Sequence, residues 1–270
     1  MSDVKQESIE LVLSDMDGTL LSPDHSLSPR NLAAVKKLQA AGVHFTLASG
    51  RPPRAMREIS QQLGIELPVA GFNGGLLVNA QGEYLQSHHV HYEGVLKTLA
   101  LLAEHPVEVW LFVDEDWLVR DPSGEMVAHE QHGLGYAPKV VESYEPYLHK
   151  VHKIVATCSD APLLLDLEQR LQPVLSGLAV ASRSQARYLD ITALKANKGD
   201  ALVALAEFLD VPLVRTAAIG DGGNDPAMFH RAGISIAMGQ APEEIRKQAM
   251  YVTGSNLEDG VAQAIERFIL

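Results

Sequence analysis

A doubly wound α/β protein with a mostly parallel sheet, interrupted by an inserted α+β domain, is predicted by three observations. Short apolar runs alternate with helical patterns at both ends of the 270-residue chain. Residues 84–190 have a different texture. Four of the places where apolar runs stop carry small turn residues beside polar or acidic ones. A chain of this length buries a substantial core, as one large domain or two modest ones.

The elements follow in order. Residues 9–14 form an apolar run ending in acids, as a buried strand does. Ser28 and Pro29 open a helical pattern through Leu32, Val35, Leu38 and Ala41 that Gly42 stops. Val43–Ala48 is a second strand, a helix runs to Leu63 before Gly64, and Val69–Phe72 is a third strand. The rhythm returns late: a helix over Ala201–Leu209, a strand over Thr216–Gly220, a helix over Pro226–Ala232, a strand over Ile234–Met238, and helices over Pro242–Ala249 and Asp259–Phe268. Residues 1–83 and 191–270 therefore read as halves of one domain. Between them, 84–190 holds both tryptophans and alternating stretches at Val107–Val113 and Trp117–Arg120, which favour antiparallel pairing.

Composition narrows the function. A formal net charge of −12 argues against nucleic acid as a partner, because phosphate backbones are held by Lys and Arg patches. A small phosphate ligand needs only one or two cations and some backbone N–H groups. No apolar run is long enough to span a membrane, and Met1 to Glu10 lacks the pattern of a secretory leader. The single cysteine, Cys158, fits a reducing compartment, and the expected location is cytoplasmic.

Four segments carry the chemistry: Asp15-Met16-Asp17-Gly18-Thr19-Leu20, Ser49-Gly50-Arg51, Asn197-Lys198-Gly199, and Gly220-Asp221-Gly222-Gly223-Asn224-Asp225. In an open parallel sheet the carboxyl ends of the strands share one edge, where ligands bind. Residues far apart in sequence can meet there. Asp15, Asp17, Asp221 and Asp225 cannot all ionise together without a cation. Oxygen ligands of this kind suit Mg²⁺, and there is no Cys/His cluster for zinc. Lys198 adds charge, Ser49 a hydroxyl, and the glycines allow close backbone approach.

In this order the four segments resemble the haloacid dehalogenase (HAD) superfamily of phosphatases, and within it the Cof-type members. Asp15–Leu20 matches the family's DxDGTL element, Ser49–Arg51 its SGR, Asn73-Gly74 its NG, Lys198 its NKG lysine and Gly220–Asp225 its GDxxND. The stretch between Asp17 and Ser49 holds only one helix and one strand, whereas that between Asn73 and Lys198 holds a whole domain. This spacing matches members with a type-two cap. The resemblance implies a Rossmann-like HAD core with an inserted cap that sets substrate specificity. It also implies a Mg²⁺-dependent phosphomonoester hydrolase for small phosphorylated metabolites: sugar phosphates, pyridoxal phosphate or flavin mononucleotide.

By the same resemblance Asp15 is the nucleophile, forming an aspartyl-phosphate, and Asp17 the acid and base. Lys198 joins them as the catalytic cation. Met16, Ser49, Gly50, Lys198 and Asn224 hold phosphate. Asp15, Asp17, Asp221 and Asp225 form the metal site, with Asp17 contributing its carbonyl and Asp225 acting from behind the direct ligands. Arg51, Asn73, Arg183 and Arg187 are candidates to contact substrate. A phosphomutase or phosphotransferase on the same scaffold, or a receiver-like regulator switched by a phosphorylated aspartate, are the alternative readings. The oligomeric state, monomer or weak homo-oligomer, stays open.

Other motifs carry less. His129-Glu130-Gln131-His132 spaces its histidines three apart, not the four a zinc-protease helix needs. In His88-His89-Val90-His91, successive histidines on a strand would face opposite sides, so this stretch reads as a strand of the cap. Asp114-Glu115-Asp116 reads as a solvated turn, and Cys158 as core packing.

Overall fold

The computed structural model describes residues 8–270. The reading of Met1 to Glu10 as no leader lies, over residues 1–7, outside the described residues. The chain forms two compact units. Unit 1 runs up to Gly50 and includes Met56–Leu85 and Asn197–Leu270; unit 2 comprises Arg51–Ala55 and Gln86–Ala196. Among the described residues no helix is long and apolar enough to cross a membrane.

In chain order the strands are β1 Leu11–Asp15, β2 His44–Ala48, β3 Val69–Gly71, β4 Leu76–Val78, β5 Tyr84–Ser87, β6 Glu108–Val113, β7 Asp116–Val119, β8 Lys139–Val140, β9 Val151–Thr157, β10 Val180–Gln185, β11 Tyr188–Thr192, β12 Thr216–Gly220, β13 Ile234–Ala237 and β14 Tyr251–Val252. The α-helices are α1 Pro29–Ala40, α2 Pro53–Leu63, α3 Tyr92–Leu102, α4 Val127–Leu134, α5 Ala161–Val174, α6 Lys198–Phe208, α7 Pro226–Phe229, α8 Glu243–Arg246 and α9 Gly260–Ala264.

The sheet of unit 1 has the order β14-β13-β12-β1-β2-β3-β4-β5. Pairings from β14 through β3 are parallel, and β3–β4 turns antiparallel. Both faces are covered, as a parallel sheet requires. Val12, Phe45 and Leu47 pack on one side with Val35 and Leu38 of α1 and Val261 of α9. Leu11 and Leu13 point the other way, onto Leu202 and Leu205 of α6 and Met228 of α7. The order reverses at β1, which lies between β2 and β12: this is the topological switch point, where a crevice opens at the carboxyl edge. Register aligns that edge, with Asp15 opposite Ala48 and Ser14 opposite Ile219.

Two helix starts matter for the site. Ser28 caps α1, its hydroxyl accepting from Asn31 N at 3.0 Å, with Pro29 at the first helical position. Asn197 caps α6: its Oδ1 accepts from Asp200 N at 2.8 Å while its Nδ2 donates to Asp200 Oδ2 at 2.9 Å. This reciprocal cap fixes where Lys198, the next residue, begins the helix. Two of the late helices, α7 and α8, are shorter than their patterns predict, whereas the last one continues past α9 as a π-helical segment over Ile265–Ile269. α7 stops at Phe229 because the chain must turn into β13, with Gly233 N donating to Leu213 O at 2.9 Å.

Unit 2 is an α+β unit built on a six-stranded sheet of order β10-β11-β9-β6-β7-β8, antiparallel except where β8 runs parallel to β7. Leu111, Ile154, Ala156 and Ile191 pack with Val95 of α3 and Leu164, Leu167 and Leu171 of α5. Cys158 lies partly buried against the same cluster. On the opposite face Trp110 and Trp117 meet edge to face, with centroids 5.2 Å apart. The stretch His88–His91, expected as a strand, lies instead between the end of β5 and the start of α3. His91 is the residue before the helix, so helix entry overrides the alternation.

Candidate active site

The acidic groups and the lysine of the candidate site in unit 1 sit at or just past a strand end, or at a helix start. Beyond β1 the chain makes a wide turn over Met16–Leu20, with Asp17 extended (φ −81°, ψ 129°) and Gly18 left-handed at φ 77°. A side chain at Gly18 would strike the Asp221 carboxylate, so both conformation and space require glycine there. Thr19 is buried and donates from Oγ1 to Asp221 Oδ1 at 2.8 Å, tying the first segment to the fourth.

At the centre Lys198, with no exposed surface, donates from Nζ to Asp15 Oδ1 and to Asp225 Oδ1, the latter at 2.6 Å. The other oxygen of Asp225 accepts the backbone N–H groups of Asp221 and Gly222, each at 2.7 Å. Asp225 is thus fully engaged, which explains how a carboxylate survives complete burial. A side chain at Gly220 would occupy the space its carboxylate fills.

The electrostatics are those of an acid-rich pocket with one cation. Burial pulls Lys198 down, but the charges of Asp15 and Asp225 and their hydrogen bonds outweigh it and hold the ammonium above its usual range. Burial pushes the Asp15 carboxyl well up against the pull of Lys198, helped by the charges of Asp225 and Asp221. Asp221 is also pushed up, first by burial and then by Asp225, against the Thr19 hydrogen bond. Carboxylate oxygens of Asp15, Asp221 and Asp225 lie within 4.8 Å of one another. Three carboxylates against one lysine leave an excess of negative charge. An oxygen-only donor set of this size fits a hard divalent cation such as Mg²⁺.

Asp17 faces two elements: its Oδ2 lies 3.5 Å from Ser49 Oγ beyond β2, and its Oδ1 lies 3.1 Å from the His25 ring. Asn73, left-handed at φ 57°, donates its N–H to Ser49 O at 2.8 Å and accepts on Oδ1 from Asn224 Nδ2 at 2.8 Å. A Cβ at Gly50 would come into ordinary contact range of the Asn73 amide. Met16 is buried at the head of the turn. The structure therefore brings Asp15, Met16, Asp17, Ser49, Gly50, Asn73, Lys198, Asp221, Asn224 and Asp225 to one carboxyl edge.

The three arginines expected to contact substrate belong to unit 2. Arg51 donates to Gly133 O at 2.7 Å, and Arg54 beside it lies over the Tyr136 ring, 4.3 Å from its centroid. Arg183 pairs with Glu168, through Nε at 3.0 Å and backbone N–H at 3.1 Å. Arg187 lies 3.9 Å from Glu125 and 3.7 Å from Met126 Sδ.

Thr19 and His25 join the site beyond the residues expected from the sequence. Thr19 lies inside the first motif, so its position carried a signal; His25 lies in an otherwise ordinary polar turn. A second cluster in unit 2, His89, Asp114 and His152, brings possible metal ligands together. There Asp114 N–H donates to His152 Nδ1 at 3.0 Å, which leaves the ring proton on Nε2, facing Ser87 Oγ at 3.0 Å. A protonated nitrogen cannot bind a cation, and the imidazole is satisfied as it stands.

Fold and site together define a HAD-type α/β hydrolase. A model of the haloacid dehalogenase-like hydrolase family matches residues 12–265, and the chain belongs to that family. The resemblance read from the motifs is borne out. A putative phosphatase of Haemophilus influenzae is 30% identical over 256 residues, covering 94% of this chain and 96% of that protein. The 5-amino-6-(5-phospho-D-ribitylamino)uracil phosphatase YcsE of Bacillus subtilis is 26% identical over 263 residues, covering 97% and 96%. Among solved structures, a haloacid dehalogenase-like hydrolase from Bacteroides thetaiotaomicron superposes with a TM-score of 0.88 at 28% identity, covering 96% of this chain and 99% of that one. The chain is an enzyme of the phosphatase class.

Proposed function

We propose that the protein hydrolyses phosphomonoesters of small metabolites with Mg²⁺, through a phosphoryl group carried on Asp15. The observation behind this reading is the buried Lys198 bridging Asp15 and Asp225 at the switch point, with Asp17 two residues beyond the nucleophile. The cation would be held by the Asp15 and Asp221 carboxylates and the Asp17 carbonyl. Asp225 would keep Lys198 and the Asp221–Gly222 backbone in place. A bound Mg²⁺ would offset the carboxylate charge and that of the incoming phosphate.

In the first step an Asp15 carboxylate oxygen attacks phosphorus, the O–P bond forms as the bond to the leaving oxygen breaks, and Asp17 gives its proton to that oxygen. In the second step Asp17 takes a proton from water as the water attacks phosphorus, freeing Asp15 and inorganic phosphate. Ser49, the N–H groups of Met16 and Gly50, Asn224 and Lys198 are the groups available to phosphoryl oxygens. Unit 2 supplies the choice of leaving group, with Arg51, Arg183 and Arg187 as its cationic candidates. The YcsE substrate carries its phosphate on a small polyol-like chain, which supports sugar phosphates and related metabolites as the class to try first.

The test is phosphate release from sugar phosphates, pyridoxal phosphate, flavin mononucleotide and an aryl phosphate, with Mg²⁺ and with chelator, for wild type and Asp15→Asn. Mg²⁺-dependent release absent from the variant is expected. Release that persists in folded Asp15→Asn would remove the nucleophile from the reading.

A further inference from the structure

We propose that His25 is a positioning residue for the leaving-group acid: its Nδ1, 3.1 Å from Asp17 Oδ1, fixes the orientation in which Asp17 delivers its proton. The inference rests on the phosphomonoesterase reading above and assigns that site a residue outside the four motifs.

The turn that carries His25 is built to present it. Leu21 and Leu27 pair across its base. Ser22 N donates to Ser26 O at 3.0 Å, and His25 N donates to Ser22 O at 2.8 Å. Inside, Asp24 Oδ1 accepts from Ser22 Oγ at 2.6 Å, Ser26 Oγ at 2.8 Å and Ser26 N at 3.2 Å. These bonds hold the Asp24 carboxyl down to about 2, so it stays ionised and in place. Beside it His25 adopts φ 62°, a left-handed conformation uncommon for a residue with a side chain. Strain of this kind persists where the surroundings impose it, and here the result is a ring set against Asp17.

The two oxygens of Asp17 are thereby addressed from two directions, Oδ2 by Ser49 beyond β2 and Oδ1 by His25 from the turn. That fixes the plane of the carboxyl. Proton transfer in a transition state depends on such placement. The side chains of His25 and Asp17 are 58% and 35% exposed, so the contact contributes little to folding, and its value is orientation.

The departing group makes the test specific. An alkoxide needs a proton as it leaves, whereas nitrophenolate leaves without one. We would measure kcat/KM for an alkyl phosphate ester and for nitrophenyl phosphate with Mg²⁺ in wild type, His25→Ala and His25→Asn, together with Tm. This ratio reports the steps up to transfer onto Asp15, before water enters. His25→Ala should lose about tenfold on the alkyl ester and stay within about twofold on the aryl ester, with Tm unchanged. His25→Asn keeps a nitrogen near the Nδ1 position and tolerates the left-handed backbone, so it should recover most of the loss. Equal losses on both esters, or no loss on either, would overturn the positioning role. The alkyl ester is whichever of the sugar phosphates, pyridoxal phosphate and flavin mononucleotide wild type hydrolyses best. Wild type that hydrolyses none of them and no nitrophenyl phosphate would overturn the functional reading and this inference with it.

Discussion

Lys198 Nζ donates to Asp225 Oδ1 at 2.6 Å with neither side chain exposed to solvent. The same ammonium also reaches Asp15, so one buried cation holds two carboxylates at the carboxyl edge of the sheet. Buried pairs of this kind add little net stability, because desolvation offsets the attraction, but removing one partner leaves an uncompensated charge. Lys198→Met should therefore destabilise the metal-free protein by about 3–5 kcal/mol. Adding Asp225→Asn to it should recover part of that loss. Urea unfolding of the single and double variants measures both.

Metal binding should release protons at mildly acidic pH. Asp15 and Asp221 are pushed up chiefly by burial, so part of each population is protonated above the usual carboxylate range. A divalent cation requires the ionised form. Mg²⁺ titrated calorimetrically near pH 5 in buffers of different ionisation enthalpy should give different apparent enthalpies. The difference should shrink as pH rises, and Asp221→Asn should weaken binding itself.

Gly18→Ala tests the close approach of the first and fourth motifs. The backbone there is left-handed and a Cβ would meet the Asp221 carboxylate, so the substitution strains the turn and displaces a proposed ligand. We expect a loss of about 1–2 kcal/mol in stability, together with a drop of tenfold or more in Mg²⁺ affinity. Gly82→Ala shares the positive φ but has nothing near its Cβ position, and should show only the first effect.

The acid sensitivity of unit 2 should trace to His152. Burial lowers its pKa to about 3, with His89 and His88 adding to the shift. Its folded pKa lies below its unfolded value, so the unfolded chain binds more protons between about pH 3 and pH 6.5. The stability associated with neutral His152 is complete above that window and lost as pH falls through it. The full difference is about 4–5 kcal/mol. His152→Gln should be less stable at neutral pH, having lost the ring's bonds to Asp114 N–H and Ser87. The gap to wild type should then close as pH falls from 6.5, a slope that denaturation at a series of pH values would read.

Much of the core was legible because its strands declare themselves. β1, β2, β3, β12 and β13 are apolar runs covered on both faces, and those preceding the site end in the residues that compose it. The different parts of Asp221 and Asp225, which share one motif, followed from the family resemblance, but their physical cause was not legible. Only the fold shows that Asp225 spends both oxygens on Lys198 and two backbone N–H groups. The complete burial of Lys198 was equally hidden, since a lysine before a helix is ordinarily solvated. His25 gave no sign because its approach to Asp17 depends on a hydrogen-bonded turn and a left-handed backbone, neither of which has a periodic signature. In unit 2, helix entry at His91 took the histidine stretch out of any strand, and pairing with Glu168 determined where Arg183 points.

In the proposed reaction Asp15 carries the phosphoryl group. Acid quenching during turnover of an aryl phosphate with Mg²⁺, followed by peptide mass analysis, tests it most directly. A transient phosphoryl adduct on the peptide containing Asp15, located to that residue by fragmentation and absent from Asp15→Asn, is the expected result. Turnover with no adduct at any quench time, alongside phosphate release that survives in folded Asp15→Asn, would contradict it.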